Sequence, residues 1–485
     1  MILEGSQREF PVTFKVKPWA HQLEALRRSK DKAAFAYFFD PGTGKTLTAI
    51  NRLRIAFNTE KKILPTLVIT PPITLENWKR EWLMHSNIPP EKIIVVTGQK
   101  SQRVLRLMQL EKDPNCIVLI NYEAILSPDI FRSLLIWSPK CLILDESHKV
   151  KNPSSKRAKR VETLSVLAEY KFLLSGSPIL NSLMDLFSQF RIMAPEVFGR
   201  NFFAFRNRFF FDKNRNMHRS KYYPDWCLKE KSYSEIQNII DPHVMRVKKE
   251  DCLDLPPLIR KKIFVPLSPD QQAAYNEMKK DFITFIKDRA CLAELAITKA
   301  LRLQQIVSGF VTVELGGGER EAADFKENPR AAALQELLEE ITPSNKVIIW
   351  AVFRRNYAQI KEVLAKLKLD YVEVHGDVSS TDKQAAVDKF STDPTCKVFL
   401  GHPGSGGIGI NLVSASYSIF YSRNFSLEND LQAEARNYRG GSQIHDKITR
   451  IDLVSPGTID EEVLKALEAK VKIGENVLKE WAESI

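Results

Sequence analysis

Ala33-Ala-Phe-Ala-Tyr-Phe-Phe39-Asp40-Pro41-Gly42-Thr43-Gly44-Lys45-Thr46-Leu47-Thr-Ala-Ile50 is the stretch whose reading decides the fold. Ala33–Phe39 is an apolar run suited to a buried strand, and Leu47 onward begins a helical pattern. Between them stand the groups that a phosphate loop needs. Gly42 and Gly44 let backbone N–H groups close around phosphates, Lys45 reaches them, and the Thr46 hydroxyl suits Mg²⁺. Pro41 and Thr43 complete the turn. The strict pattern wants glycine where Phe39 stands, so the strand–loop–helix context carries the reading.

About a hundred residues later, Cys141-Leu-Ile-Leu144 forms a second short apolar run that ends on Asp145-Glu146-Ser147-His148. Ligands of parallel sheets belong at the carboxyl ends of strands. Asp145 is expected to hold Mg²⁺ with Thr46, and Glu146 to position or deprotonate the water that attacks the γ-phosphate. The two segments together read as a nucleoside triphosphatase using ATP and Mg²⁺.

Strand-like runs separated by helical patterns fall into two series. The first comprises Ala33–Phe39, Thr66–Thr70, Ile93–Thr97, Cys116–Asn121, Leu142–Asp145 and Lys171–Ser175. The second comprises Lys346–Ala351, Asp370–His375, Lys397–Gly401, Tyr417–Tyr421 and Thr449–Val454. Alternation of this kind predicts an α/β protein of two doubly wound parallel-sheet lobes. Asp254-Leu-Pro-Pro257 cannot continue a helix and marks the linker. The expected domains are residues 1–252, with a helical insertion at about 194–250, and residues 253–485, with another at about 267–318. In the first insertion, Phe198, Phe202, Phe205 and Phe209 recur at helical spacing and are expected to pack inward. The arginines between them are expected on the solvated face. Glu314-Leu-Gly-Gly-Gly-Glu-Arg320 reads as an exposed turn.

The 485 residues carry 71 Lys+Arg against 59 Asp+Glu, a net charge of +12 that suits a polyanionic partner. Six scattered cysteines, with no C-x-x-C pair, argue for reduced thiols and against a zinc site. No export signal and no run of about 18 apolar residues is visible, so an intracellular setting without a membrane is expected.

Further segments narrow the substrate. Lys171-Phe-Leu-Leu-Ser175-Gly176-Ser177-Pro178, Leu255-Pro256, Leu267-Ser-Pro-Asp-Gln271, Leu301-Arg-Leu-Gln-Gln305, Gly406-Gly-Ile-Gly-Ile-Asn411-Leu412 and Gln432-Ala-Glu-Ala-Arg436-Asn-Tyr-Arg439 occur in this order. With them the chain resembles the superfamily 2 helicase-like ATPases, and within them the Swi/Snf-type double-stranded DNA translocases, whose lobes are RecA-like. The resemblance covers nearly the whole chain. It implies that Gln22 recognises adenine and that Gly407 and Gly409 join the nucleotide site. It implies DNA contacts from Thr70, Pro71, Lys79, Asn121, Tyr122, Ser175, Ser177, Trp350, Gly406 and Asn411. It also implies that Arg436 and Arg439 reach across the cleft to the γ-phosphate. The chain departs from the family pattern at Ser147, Lys383, Asn424-Phe-Ser426 and the extra residue in Arg439-Gly-Gly-Ser-Gln443.

The closing segment Thr458–Glu462 suggests a bare motor of the compact bacterial or viral kind, working as a monomer on duplex DNA. The leading expectation is a translocase that remodels DNA or protein–DNA complexes. The alternatives are a strand-separating helicase and a recruitment protein that uses ATP as a switch to bind DNA or a host factor.

Overall fold

The computed structural model describes residues 10–217, 224–288, 293–315, 319–376, 378, 380–404 and 410–482. Two parallel sheets organise it. The first contains β1 (Ala34–Phe39), β2 (Thr66–Thr70), β3 (Ile93–Val95), β4 (Ile117–Asn121), β5 (Cys141–Asp145), β6 (Tyr170–Leu174) and β9 (Val244–Val247), in the order β3-β4-β2-β5-β6-β1-β9. Every pairing is parallel. Its strands are apolar almost throughout because both faces are covered. Phe35, Tyr37 and Phe39 enter the core on one face, while Ala36 and Phe38 enter that on the other.

The second sheet is also parallel, in the order β10-β17-β16-β13-β15-β14. Its strands are β10 (Leu258–Phe264), β13 (Val347–Trp350), β14 (Asp370–Val374), β15 (Cys396–Gly401), β16 (Tyr417–Phe420) and β17 (Ile448–Val454). The chain leaves the first sheet after Val247 and enters the second at Leu258. Strand β10 carries Arg260, Lys261 and Lys262 along the sheet edge. Charge on an edge strand discourages pairing with another chain.

The region after Ala194 is not wholly helical. Helices Pro195–Phe198, Phe202–Phe209 and Ser232–Ile240 enclose a short antiparallel pair, β7 (Phe210–Asp212) with β8 (Trp226–Leu228). Phe205 and Phe209 are buried beside Phe187 and Phe190 in the first core, and Phe203 points outward. The second insertion consists of helices Pro269–Asp288 and Ala293–Val307, followed by an antiparallel hairpin of β11 (Phe310–Leu315) and β12 (Glu319–Asp324). Of the segment expected as an exposed turn, Glu314 and Leu315 pair with Arg320 and Glu319 as strand residues, and residues 316–318 lie outside those described. Among the described residues, no helix is long and apolar enough to cross a membrane. Cys116, Cys141 and Cys396 are buried free thiols, and Cys291 lies outside the described residues.

Candidate nucleotide site between the lobes

Strands β1, β6 and β5 are neighbours in register, Tyr37 against Leu174 and Leu174 against Asp145. This alignment brings the phosphate loop after β1 and the acidic pair after β5 to one end of the sheet. Gly42 and Gly44 adopt φ of 90° and 80°, a region that residues with a side chain rarely occupy. A Cβ at Gly44 would stand 2.0 Å from Gln22 Nε2. Helix Lys45–Thr59 starts directly from the loop, so its N-terminus faces the phosphate position.

A cavity of about 260 Å³ lies there. Pro41, Gly42, Gly44, Lys45, Thr46, Asp145 and Glu146 line it from the first lobe, and Gln432, Arg436 and Arg439 from the second. The backbone of Gly42 lies so close to the arginine segment that an added Cβ would be 3.4 Å from Arg439 Cβ. Thus the loop, the acidic pair and both arginines meet in one cleft.

Asp145 is held from three directions. Its Oδ2 accepts from Thr70 Oγ1 at 2.8 Å and Trp78 Nε1 at 2.9 Å, and its Oδ1 accepts from Glu146 N at 3.1 Å. Burial and the adjacent Glu146 carboxylate raise Asp145. Burial would also raise Glu146, but Lys45, whose Nζ is 3.2 Å from Oε1, outweighs it and holds Glu146 below its ordinary range. Lys45 shows the reciprocal balance: burial lowers it, and the Glu146 and Asp145 carboxylates raise it further. Glu146 has φ 52°, ψ 55°, a left-handed conformation uncommon for a residue with a side chain. Arg436 is pushed down to about 9 by burial and then by Arg439 beside it.

The donor set fits Mg²⁺. The Asp145 carboxylate and Thr46 hydroxyl are hard oxygen ligands, and Mg²⁺ is usually held by one or two protein groups with phosphate and water completing the shell. Among the described residues no cluster of three or more His, Cys, Asp or Glu side chains could hold a metal by itself.

Several expected contacts have other work in this structure. Gln22 is buried and does not line the cavity; its Nε2 lies 3.4–3.5 Å from the Gly44 and Thr43 carbonyl oxygens, so it braces the loop. Thr70 is buried against Asp145, and Pro71 lines the nucleotide cavity. Tyr122 is buried and donates its hydroxyl to the Asp145 carbonyl at 2.8 Å. Asn121 is buried with Oδ1 accepting from Ala124 N at 2.7 Å, and Trp350 is packed in the second lobe's core. Ser175 is buried 3.1 Å from His148 Nδ1, and its hydroxyl accepts from Ser177 N. Thr70, Asn121, Tyr122, Ser175 and Trp350 are thus all buried, and a role for them along a DNA track stays a proposal. Lys79 and Ser177 are half-buried and Asn411 is exposed. Gly406, Gly407 and Gly409 lie outside the described residues.

Two contributors were not singled out from sequence. Trp78 stands beside Lys79, and nothing in its spacing indicated a hydrogen bond to Asp145. Glu428 places Oε1 3.2 Å from His148 Nε2 and 2.6 Å from Lys149 Nζ, joining the second lobe to the end of the acidic segment. Three of the departures from the family pattern have local roles, and nothing in the structure explains Lys383. Ser147 Oγ donates to Gln189 Oε1 at 2.6 Å, Ser426 Oγ caps helix Leu427–Glu434, and the extra glycine after Arg439 makes a turn at Gly441 with φ 102°.

Comparison with known proteins agrees with this architecture. The SNF2-related domain matches residues 27–309, and the helicase conserved C-terminal domain matches residues 329–441. Chromodomain-helicase-DNA-binding protein 1-like of Danio rerio is 27% identical over 454 residues, covering 92% of this chain and 42% of that protein. An uncharacterized ATP-dependent helicase of Mycoplasma genitalium is 27% identical over 450 residues, covering 90% of this chain and 40% of that protein. The chain thus spans about two fifths of the length of these curated relatives. The SWI2/SNF2 ATPase core of Sulfolobus solfataricus, solved in complex with dsDNA, aligns over 96% of this chain and 94% of its own at 23% identity, with a TM-score of 0.45. With the SNF2-related domain matched across more than half its length and the helicase C-terminal domain following, this chain belongs to the SNF2-related family.

Proposed function

We propose that the protein is an ATP-driven motor that translocates on double-stranded DNA and remodels DNA or protein–DNA complexes. The observation that carries this reading is the cleft itself, lined by the phosphate loop and acidic pair of one lobe and the two arginines of the other. A site divided between lobes is complete only when they close, so hydrolysis is tied to their relative movement. If each lobe also grips the DNA backbone, alternate closing and opening becomes stepping along a strand.

Within the cleft, Lys45, Arg436 and Arg439 supply positive charge to the phosphates, and an arginine provided across a cleft is worth about 10³–10⁵ in rate. Thr46 and Asp145 would hold Mg²⁺, which when bound would neutralise charge on the phosphate oxygens. Glu146 orients and deprotonates water. Its pairing with Lys45 keeps it a weak base; transfer of the Lys45 ammonium to phosphate would free the carboxylate, and burial would then raise its proton affinity. His148 connects this centre to Ser175 and, through Glu428, to the second lobe.

Duplex DNA as the track rests on the inter-lobe segments Leu267–Gln271 and Leu301–Gln305, on the net positive charge and on family membership. Steady-state ATP turnover with duplex DNA, single-stranded DNA and RNA tests it. Duplex is expected to stimulate most, with affinity falling steeply as salt rises and little dependence on base sequence. A triplex-forming strand should be displaced while the underlying duplex stays paired. Preference for RNA, or unwinding of a forked duplex without triplex displacement, would make the protein a strand-separating helicase.

A further inference from the structure

The lobes also meet behind the phosphate loop, around a second cavity of about 610 Å³ whose lining includes Asp40, Lys249, Lys262 and Glu434. Lys249 opens the short helix Lys249–Cys252, the last element before the chain crosses to the second sheet. Its backbone N–H donates to Asp40 Oδ2 at 3.1 Å. The Asp40 carbonyl in turn accepts from Thr43 Oγ1 at 2.8 Å and Thr43 N at 3.3 Å. One end of Lys249 is therefore fixed to the base of the loop.

The other end reaches the opposite lobe. Lys249 Nζ lies 3.6 Å from Glu434 Oε1 and 4.1 Å from the centre of the Tyr438 ring. Glu434 is two residues before Arg436, and Tyr438 immediately precedes Arg439. Lys249 is only 8% exposed, and a cation so enclosed needs a carboxylate or an aromatic face to offset lost hydration; here it has both. Glu434 does not depend on this lysine. It also accepts from Arg450 Nη1 at 2.8 Å and from Arg260 Nη2 at 2.9 Å, both within its own lobe. The Lys249 contact thus adds little that the second lobe needs for folding, and what it does add crosses between lobes.

We propose that Lys249 is a positioning residue that sets the Arg436–Arg439 segment against the phosphate loop, so that alignment of the two arginines depends on its ammonium. This rests on the reading of the cleft as a DNA-stimulated ATPase site. Removing the charge should affect the closed, reacting geometry more than ATP binding, because the loop, Lys45 and Asp145 stay in place.

The test compares wild type, Lys249→Met, Lys249→Arg and Lys262→Met, the last removing an exposed charge from the same cavity. In steady-state turnover with saturating duplex DNA, Lys249→Met should lower kcat on the order of tenfold and leave KM for ATP within about twofold. Lys249→Arg, which keeps both the ion pair and the cation–π contact, should restore most of the rate, and Lys262→Met should match wild type. Independently of activity, a donor–acceptor dye pair on the outer faces of the two lobes should report a broader spread of distances in Lys249→Met, with an unfolding midpoint close to that of wild type. A normal kcat in Lys249→Met, equal losses in kcat and affinity, a Lys249→Arg variant as slow as Lys249→Met, or an unchanged distance spread would each overturn the proposal. Absence of DNA stimulation in wild type would instead reject the ATPase reading on which it rests.

Discussion

Asp145 owes its orientation to residues far away in sequence, and this sets how each residue in the cleft can be tested. Trp78→Phe keeps a buried aromatic ring, though a smaller one, and removes the Nε1 donor, leaving Thr70 and the Glu146 N–H to hold the carboxylate. Turnover at saturating Mg²⁺ should fall by less than about tenfold, while the Mg²⁺ concentration for half-maximal rate rises, because orientation of a metal-binding carboxylate governs affinity. An unchanged Mg²⁺ titration would remove Trp78 from the metal site. Lys45→Ala should abolish hydrolysis with the fold intact, and Glu146→Gln should bind ATP without cleaving it, since an amide cannot take a proton from water. Nucleotide binding and single-turnover cleavage measure the two effects separately. At this scale the phosphate loop and acidic pair were legible because their chemistry demands fixed residue types at fixed strand ends. The bonds from Thr70, Trp78 and Tyr122 to Asp145 were not legible, because they join segments far apart in sequence; for Thr70 it is the parallel pairing of β2 with β5 that brings the end of β2 beside Asp145.

At the scale of elements, the central strands could be read from apolar runs, since a strand covered on both faces has little room for polar residues. The peripheral ones could not. Strand β9 contains Arg246 and is only four residues long, β10 is a charged edge, and the two hairpins lie in insertions dominated by helical periodicity. The phenylalanine spacing picked out the buried Phe205 and Phe209, with Phe198 and Phe202 half-buried beside them. Phe205 packs against Phe187, Phe198 and Phe209, so Phe205→Ala should cost about 3–5 kcal/mol of stability, whereas Phe203→Ala should cost under about 0.5 kcal/mol. Urea denaturation of the two variants decides whether this helix is part of the first core. The segment after helix Leu427–Glu434 makes a different prediction. Ala at Arg436 or Arg439 should lower the rate with little change in ATP affinity, because both side chains come from the lobe that does not carry the loop.

At the scale of the whole molecule, the lobes are joined across the cleft by two carboxylates of the second lobe, Glu428 on His148 and Lys149, and Glu434 on Lys249. Burial by itself would raise Glu428, but His148 and then Lys149 bring it down to about 2. For Glu434 burial is likewise outweighed, by Arg450 first and then Lys249 and Arg260, again to about 2. Both groups ordinarily titrate at 4.5, so the native state binds fewer protons than the unfolded chain through this window. Their contribution is fully present above pH 4.5 and is lost as the pH falls toward about 2. Glu428 is the cleaner reporter, because His148 and Lys149 lie in the opposite lobe, whereas Glu434 is also tied into the Arg450 network. Acid should therefore loosen the contact between lobes while the two sheets, held by apolar packing, persist. Small-angle scattering from pH 7 downward should show an increase in radius of gyration below about pH 4.5, before loss of far-ultraviolet circular dichroism. In Glu428→Gln, which carries no proton-linked charge at this contact, the early expansion should depend less on pH. An identical pH profile in that variant, or simultaneous loss of secondary structure and compactness, would show that Glu428 does not couple the lobes.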